Sequence, residues 1–273
     1  MTFPRSHRQP CAGANPMRID DKVVLITGAS EGIGAACARE FATSGARLSL
    51  TARNEDGLHR AASPDSLIIP ADITNPEDRC RVVERTLERF GAIDILINNA
   101  GIGIYQPSWE MPIEEARYLM ELNFFAPLAM TQLVVPHMRA RHSGMLVNVG
   151  SIGGKVVLPW MTLYSVTKSA LGALTEGQRI ELMGDGIRTM LVCPGYVKTG
   201  FQKNVRAGQA PENVQKARRF AITPQRCAEA IRRGVERDAR TVVTPRSGWL
   251  LVLAMRLFPS VVESRMASIN GTA

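Results

Sequence analysis

The pair of residues with the clearest potential for chemistry is Tyr164 and Lys168, four positions apart in the stretch YSVTK. On a helix, residues i and i+4 share one face, so the phenol and the ammonium would be neighbours. A phenol has an unperturbed pKa of about 10, and a nearby cation lowers that pKa because it favours the phenolate. The pair could therefore be a general acid/base, or two residues on the solvated face of an amphipathic helix.

A glycine-rich segment, TGASEGIG from Thr27 to Gly34, could bind a ligand. Its glycines are spaced G-x-x-x-G-x-G, not G-x-G-x-x-G as in the standard dinucleotide fingerprint. The physics is the same, because glycines allow close backbone approach and a helix N-terminus presents free N–H groups to a pyrophosphate. The segment predicts a dinucleotide site, although three glycines after a strand can also form a plain turn.

Arg53 ends the second predicted strand, about 20 residues beyond the glycines, where an acidic residue would hold the ribose 2′-hydroxyl of NAD. A guanidinium at this position suits the 2′-phosphate of NADP instead. NADP(H) is therefore favoured, and NAD(H) remains an alternative because Glu31 in the glycine segment would repel a phosphate. Arg53 could also be an ordinary surface arginine.

Apolar runs alternate with amphipathic segments, and this order predicts the elements that must position these residues. Strands are predicted at 22–27, 46–52, 66–71, 93–101, 144–151, 187–195 and 240–245. Long helices are predicted at 162–184 and at 114–140, where Pro127 and Pro136 should bend or break the helix. Nearly continuous apolar strands between helices indicate a parallel sheet covered on both faces. We therefore predict an α/β fold, a single doubly wound Rossmann-type domain with a seven-stranded parallel sheet.

The composition restricts the possible functions. The chain has 273 residues, of which 45% are hydrophobic and 21% charged, as in ordinary globular proteins. Its five cysteines and four histidines show neither C-x-x-C nor H-E-x-x-H, so we expect no disulfide framework, no metal site and a reducing, cytoplasmic location. The stretch 198–246 carries 12 Lys/Arg and 4 Asp/Glu, which accounts for the net charge of +8. This basic stripe could bind nucleic acid or an anionic membrane, but a solvated helix face is the simpler reading.

The two ends of the chain differ from the domain between them, which we predict to span 20–247. Residues 1–19 lack the apolar core of a secretory signal and are predicted to be a disordered lead-in, with Met1 or Met17 as the start. The apolar extension at 248–273, which contains WLLVLAM, could pack on its own domain or on a second subunit. It could instead contact a membrane interface through residues 248–258.

With TGASEGIG, NNAG at 98–101 and YSVTK in this order and spacing, the chain resembles the classical short-chain dehydrogenase/reductase family from residue 22 to about residue 200. The C-terminal extension is similar to that of hydroxysteroid-dehydrogenase-like members. The resemblance implies the catalytic residues Asn123, Ser151, Tyr164 and Lys168. With the glycine segment and Arg53, it gives the cofactor-binding set Gly28, Ser30, Glu31, Gly32, Ile33, Gly34, Arg53, Asp72, Ile73, Asn99, Ala100, Gly101, Tyr164, Lys168, Pro194, Gly195, Val197 and Thr199.

The resemblance also implies a role for each catalytic residue. Ser151 would hydrogen-bond the substrate oxygen, and Tyr164 would give or take the proton with its pKa lowered by Lys168 and the nicotinamide charge. Lys168 would also hold the nicotinamide ribose, and Asn123 would fix a water that feeds protons to Lys168. Asp72 would lie beside the adenine, and the segment PGYVKTG would hold the nicotinamide carboxamide.

An NADP(H)-dependent oxidoreductase follows from the resemblance, with a lipophilic ketone, aldehyde or secondary alcohol as its small-molecule substrate. A 3-oxoacyl-thioester reductase is the alternative within the class, because the basic predicted lid at 200–223 could receive an anionic carrier. A cofactor-binding regulator or nucleic-acid partner that uses the basic stripe is an alternative of another class, and the complete catalytic set argues against it. A homo-oligomer, either dimer or tetramer, is expected in the cytoplasm, with membrane association as the alternative location.

Overall fold

The computed structural model describes residues 17–200 and 221–270. Most of the predicted lead-in and nearly all of the predicted lid lie outside the described residues. The strands of the described part are β1 (Val23–Thr27), β2 (Arg47–Ala52), β3 (Leu67–Pro70), β4 (Ile95–Asn98), β5 (Gly144–Val149), β6 (Ile187–Pro194) and β7 (Thr241–Thr244). They form one sheet in the order β3-β2-β1-β4-β5-β6-β7, with every neighbouring pair parallel. The predicted seven-stranded parallel sheet is confirmed.

Helices pack on both faces of this sheet. They are α1 (Gly32–Thr43), α2 (Glu55–Ala61), α3 (Pro76–Phe90), α4 (Ile113–Met120), α5 (Ala126–Ala140), α6 (Thr162–Glu181), α7 (Pro224–Glu236), α8 (Gly248–Leu257) and α9 (Pro259–Asn270). Alternation along β1 defines the two faces, because Ile26 packs in a cluster with Phe41 of α1, whereas Leu25 packs with Val82 of α3 and Met130 of α5. The doubly wound arrangement therefore follows from strands that are apolar on both sides.

Local sequence sets the ends of α3, which was predicted at 76–91. The Asn75 side chain accepts the N–H of Glu77 at 2.8 Å, and Pro76 occupies the first turn, where its missing N–H costs nothing. Gly91 ends the helix with a φ of 73°, a left-handed conformation that glycine adopts readily.

The long helix predicted at 114–140 is divided by a π-helical turn, Glu121–Phe125, between α4 and α5. Pro127 follows this turn and cannot donate the α-helical bond to the Asn123 carbonyl, so a wider turn at this point avoids the conflict. Pro136 lies inside α5, so it does not break the helix, and a bend at this residue stays a prediction. It lies on the exposed side with Gln132, whose carbonyl can bond water instead.

The C-terminal extension forms the two helices α8 and α9. One side of this pair packs Val252, Leu251 and Met255 against a cluster that contains Val243 of β7. The other side exposes a set of residues that we name the C-terminal apolar face, each between 45% and 69% exposed: Trp249, Leu250, Leu253, Leu257, Phe258 and Val261. Packing on its own domain therefore accounts for only one side of the extension.

Candidate active site

Tyr164 and Lys168 lie in the first two turns of α6, close to the carboxyl end of β5. Their residues are only 8% and 5% exposed, which a solvated helix face would not give. The Lys168 Nζ donates a hydrogen bond to the Val149 carbonyl at 3.0 Å and lies 5.9 Å from the centre of the Tyr164 ring. The sequence therefore brings a phenol and an ammonium together inside the protein.

Burial changes the pKa of both groups. It raises the pKa of Tyr164 to about 12, and a hydrogen bond with Ser151 acts in the opposite direction. Burial also lowers the pKa of Lys168 to about 8. Lys168 alone does not produce the predicted lowering of the Tyr164 pKa, because desolvation of the phenolate outweighs the favourable contacts. The lowering by the nicotinamide charge stays a prediction. At neutral pH Tyr164 keeps its proton.

Ser151 is positioned by the end of β5 and a short 3₁₀ turn that follows it, Ile152–Gly154. Its Oγ accepts the N–H of Gly153 at 3.0 Å and also takes part in the hydrogen bond with Tyr164. The structure thus brings Ser151 to the phenol of Tyr164, as the catalytic assignment requires.

Asn123 lies fully buried in the π-helical turn. Its Oδ1 accepts the N–H of Ile102 at 3.0 Å, and its Nδ2 donates to the Ile102 carbonyl at 2.9 Å and to Thr167 Oγ1 at 3.1 Å. Both N–H bonds of the amide are thus used by the protein. Asn123 fastens the loop after β4 to α6, one residue before Lys168, and any water that it holds must bond to one of its oxygens.

The glycine segment is packed too closely for other residues at its turning points. Gly28 and Gly32 have φ values of +64° and +57°, which favour glycine. A Cβ on Gly28 would lie 2.8 Å from the Ala100 Cα, and one on Gly32 would lie 3.1 Å from Thr199 Cγ2. The backbone of this segment, the loop after β4 and the segment after β6 therefore surround one cradle at the N-terminus of α1, which fits a dinucleotide pyrophosphate.

Thr27 and Asn99 hold this cradle in shape. The Asn99 Nδ2 donates to the carbonyls of Thr27 and Gly28 at 3.0 and 3.1 Å. In return, Thr27 Oγ1 accepts the N–H groups of Asn99 and Ala100 at 3.0 and 3.2 Å. The sequence reading assigned no role to the Thr27 side chain, although the Thr-Gly lead of the segment was the available signal.

Arg53 is exposed at the end of β2, beside the glycine segment. The Ala29 N–H donates to the Thr51 carbonyl at 3.2 Å, which keeps that segment against the end of β2. The Glu31 carboxylate lies by the segment after β6, since a Cβ on Gly200 would be 2.7 Å from its Oε2. Within the described part of the chain no ion pair holds Arg53, so its guanidinium is available for a ligand.

The remaining predicted cofactor residues occupy three places. The Asp72 Oδ1 accepts the N–H and hydroxyl of Thr74 at 3.0 and 2.8 Å, so this carboxylate closes the turn after β3. Val197 pairs with Ile222 as an isolated bridge, and the Gly195 N–H donates to the Thr244 carbonyl at 2.8 Å. Other members of the set lie beside these groups: Ser30 and Ile33 around the glycine segment, Ile73 after Asp72, Gly34 in α1, Gly101 beside Lys168, and Pro194 at the end of β6.

An apolar cluster surrounds the Tyr164 ring. Its buried members are Ile73, Ile102, Ile104, Tyr105, Leu119, Leu122, Ala126, Met161 and Tyr164. The sequence gives no signal for Ile102, Ile104 and Leu122, because they are separated in the chain and meet Tyr164 only in the fold. The described residues contain no group of three or more His, Cys, Asp or Glu that could hold a metal ion.

Comparison with known proteins agrees with this arrangement. The family model described as short chain dehydrogenase matches residues 22–210. The chain is 34% identical over 257 residues to the 11-beta-hydroxysteroid dehydrogenase-like 2 of Arabidopsis thaliana, which covers 90% of this chain and 80% of that protein.

Two solved structures are also similar. A 3-ketoacyl-(acyl-carrier-protein) reductase from Brucella melitensis, complexed with NADH, is 28% identical with a TM-score of 0.76, over 83% of this chain and 97% of that one. A short chain dehydrogenase from Burkholderia cenocepacia J2315, in complex with NADP, is 29% identical with a TM-score of 0.78, over 92% and 99%. The fold, the family match and these relatives lead to one assignment. The chain belongs to the classical short-chain dehydrogenase/reductase family, as an oxidoreductase that acts on CH–OH or carbonyl groups with a nicotinamide cofactor.

Proposed function

We propose that this enzyme is an NADP(H)-dependent reductase of lipophilic ketones or aldehydes, able to oxidise the corresponding secondary alcohols, with Tyr164 as the general acid/base. The observation that carries the proposal is the buried group of Ser151, Tyr164 and Lys168 against an apolar cluster. An apolar wall suits a lipophilic substrate, and Ser151 and Tyr164 supply the polar atoms aimed at its reacting oxygen.

The bound nicotinamide supplies or accepts the hydride. In reduction, negative charge develops on the substrate oxygen, and the Ser151 hydroxyl and the Tyr164 phenol both donate to it. Tyr164 then transfers its proton, which the pKa of about 12 keeps in place at neutral pH. The Lys168 ammonium stabilises the phenolate that is left.

Proton resupply is assigned to Lys168 and Asn123. With a pKa of about 8, Lys168 can lose and regain a proton close to neutral pH. The Asn123 amide has both N–H bonds in use, so we assign the relaying water to an oxygen of Asn123, such as the backbone carbonyl that Pro127 cannot bond. The π-helical turn would then serve the chemistry as well as the packing.

NADP(H) is the proposed cofactor because Arg53 is exposed beside the glycine segment. A guanidinium there can form a charge-assisted, bidentate contact with a 2′-phosphate. The Glu31 carboxylate lies by Gly200 after β6, and this placement weakens the objection that it would repel that phosphate. The NADP complex of the Burkholderia cenocepacia protein is consistent with the choice, and the NADH complex of the Brucella melitensis protein keeps NAD(H) as the competing cofactor.

The substrate class separates two versions of the proposal. A hydroxysteroid-dehydrogenase-like relative points to a rigid, lipophilic ketone, whereas the Brucella melitensis relative points to a 3-oxoacyl thioester. The test is a panel of bicyclic and aromatic ketones, aldehydes and 3-oxoacyl thioesters, assayed with NADPH and NADH by nicotinamide absorbance. Higher kcat/KM for the ketones with NADPH is the expected result. Preference for the thioesters would move the enzyme to the alternative, and absence of turnover with every compound would overturn the proposal.

The binding of nucleic acid by the basic stripe is not favoured. Arg232 pairs with Glu40 and Glu236 at 2.7 and 2.6 Å, and Arg233 pairs with Glu229 at 3.1 Å. Much of the positive charge of α7 is therefore matched within the protein. The basic residues at 203–219 lie outside the described residues.

Members of this family are typically oligomeric, and we propose a homo-oligomer built on α5 and α6. A groove between these helices is lined by residues that include Leu128, Val135 and Leu174. Gln178 also lines it, and its Oε1 is buried without a hydrogen-bond partner among the described residues. A second subunit could supply a donor there, and sedimentation velocity of Gln178→Leu against the wild type tests this.

We also propose that the C-terminal apolar face contacts a lipid surface. Arg246, Arg256 and Arg265 flank or interrupt it, as expected at an interface with anionic headgroups. The segment Ile113–Ala140 is by length and composition apolar enough to cross a membrane, but 44% of its most apolar window is buried in the domain. We assign that segment to the core, and membrane contact to α8 and α9.

A further inference from the structure

The backbone of Trp160, four residues before Tyr164, is held in an unusual conformation. Its φ is +63°, in the left-handed region that bulky residues rarely adopt. Its carbonyl accepts the N–H of Gln106 at 2.8 Å, and the N–H of Met161 donates to the Leu158 carbonyl at 3.1 Å. Strain of this kind persists only where the surrounding structure enforces it, and it is concentrated at functional sites.

The indole of Trp160 is a second unfavourable feature, because its N–H lacks a hydrogen bond within residues 17–200 and 221–270. Its Nε1 is buried, and no described residue accepts its N–H. Trp109 provides the contrast, because that ring is 79% exposed and its Nε1 donates to Glu110 Oε1 at 3.2 Å. A buried donor without an acceptor is rare in folded proteins, since the desolvated group loses its bond to water and gains nothing in exchange.

The position of the Trp160 ring suggests where an acceptor would come from. The ring packs against the apolar cluster that contains Tyr164, Met161 and Leu122. Because Nε1 is closed to bulk solvent and the residue packs against this cluster, a group that enters the cluster can supply the acceptor. The substrate is such a group, because its reacting oxygen contacts Tyr164 in the same cluster.

We propose that the Trp160 Nε1–H donates a hydrogen bond to a second oxygen of the substrate, at a distance from the reacting carbon. This inference rests on the proposed function and narrows its substrate class to ketones or alcohols that carry another carbonyl, ether or hydroxyl oxygen on the same skeleton. Packing against the cluster and the backbone bonds of Gln106 and Met161 then keep Trp160 in place before the substrate binds. Trp160 is thus a specificity-determining residue.

A kinetic comparison tests this role. Wild type, Trp160→Phe and the control Trp109→Phe are assayed with 1-decalone and with decalin-1,4-dione, decalin-1,5-dione and decalin-1,6-dione. In the wild type we expect at least one dione to exceed 1-decalone in kcat/KM by roughly tenfold, as a matched donor discriminates against an analogue without its acceptor. Trp160→Phe should remove that preference, and Trp109→Phe should keep it. A wild type without preference, or a preference that survives Trp160→Phe, overturns the inference.

A binding measurement on the wild type covers the case in which Trp160→Phe folds poorly. The chain has three tryptophans, so a ¹⁵N-indole spectrum is simple, and the spectra of the variants assign it. With NADP⁺ present, the preferred dione should move the Trp160 indole N–H signal downfield, and 1-decalone should not. A signal that is unchanged by any dione, or one already downfield because a water occupies the site, overturns the inference. Absence of turnover with all four compounds would instead count against the proposed function.

Discussion

The start of α6 and the C-terminal helix pair both depart from the usual distribution of side chains. The first buries polar groups, and the second exposes apolar groups. At α6, Tyr164 and Lys168 place a phenol and an ammonium in the interior, each at most 8% exposed. In the α8–α9 pair, Leu250, Leu253 and Leu257 leave apolar surface in water, each at least 52% exposed. Burial of the polar groups costs stability, and the exposed apolar groups contribute none, so ordinary folding explains neither arrangement.

The contrast shows what kind of partner each region requires. Buried polar groups are compensated by a small molecule that brings charge or hydrogen bonds into the site. Exposed apolar groups are compensated by a large surface that removes water, such as a second subunit or a lipid layer. The two regions should therefore respond to different experiments, and mutations in one should leave the other unchanged.

The largest effect is expected for Tyr164→Phe, which keeps the ring and removes the proton donor. Loss of a general acid costs roughly 10²–10⁴-fold in kcat, and NADPH binding should remain close to that of the wild type. Stopped-flow absorbance measures the turnover, and NADPH fluorescence titration measures binding. Turnover near the wild-type rate would remove Tyr164 from the mechanism.

Lys168→Met should separate catalysis from stability. Turnover should fall by about 10²-fold because the phenolate loses its cation. The pKa of Lys168 drops from an ordinary 10.5 to about 8 in the folded chain, so the folded state binds fewer protons than the unfolded state between these values. Below about pH 8 the wild type therefore carries the full penalty of the buried charge, and this penalty is relieved as the pH rises towards 10.5.

The variant should consequently unfold at a higher temperature than the wild type at pH 7, with a gain of roughly 1–3 kcal/mol from the shift of its pKa. The advantage should shrink between pH 8 and 10. Calorimetry across this range provides the measurement, and Lys155→Met is the control because Lys155 is paired with Glu176 at 3.7 Å. A variant less stable than the wild type at pH 7 would contradict the proposed cost of burial.

A smaller effect is expected at Arg53. Arg53→Asp removes a charge-assisted contact worth roughly 1.5–3 kcal/mol, so the ratio of kcat/KM with NADPH to that with NADH should fall about 10- to 100-fold. Arg60→Asp, a like change on the exposed end of α2, is the matched control. If both variants keep the wild-type ratio, Arg53 is a surface residue without a role in cofactor choice.

The smallest effect on chemistry is expected at the C-terminal apolar face. Replacement of Leu250, Leu253 and Leu257 by Gln keeps the packed side of α8 and should leave kcat unchanged. Flotation with phosphatidylserine-containing liposomes should fall from substantial to background. A like change at Ile113, which is exposed on α4, serves as the control. If flotation is unchanged, or if the sedimentation coefficient changes instead, the C-terminal apolar face contacts protein rather than lipid.

The sequence was a good guide where local pattern decides structure. The strands and the glycine segment follow from apolar runs and from residues that permit tight turns. The pairing of Tyr164 with Lys168 follows from helical spacing. These features depend on neighbours in the chain, and they were predicted at the correct positions.

Features that depend on the assembled fold were not predicted. The direction of the Tyr164 pKa shift is set by how deeply its ring is buried, which spacing does not reveal. The π-helical turn at Asn123 could have been suspected from Pro127, but the three hydrogen bonds of the Asn123 side chain go to Ile102 and Thr167, which only the fold brings near it. The sequence does not predict the left-handed backbone of Trp160, because tryptophan rarely adopts that conformation.

The strand order has a consequence for the evolution of this enzyme. Crossing from β1 to β4 divides the chain into an earlier half, with the glycine segment and Arg53, and a later half, with Tyr164 and Trp160. Substitutions in the two halves that share no contact should have additive effects. During evolution, the preference for NADP(H) or NAD(H) could therefore change without a change in substrate specificity. The substrate specificity could likewise change while the cofactor preference stays the same.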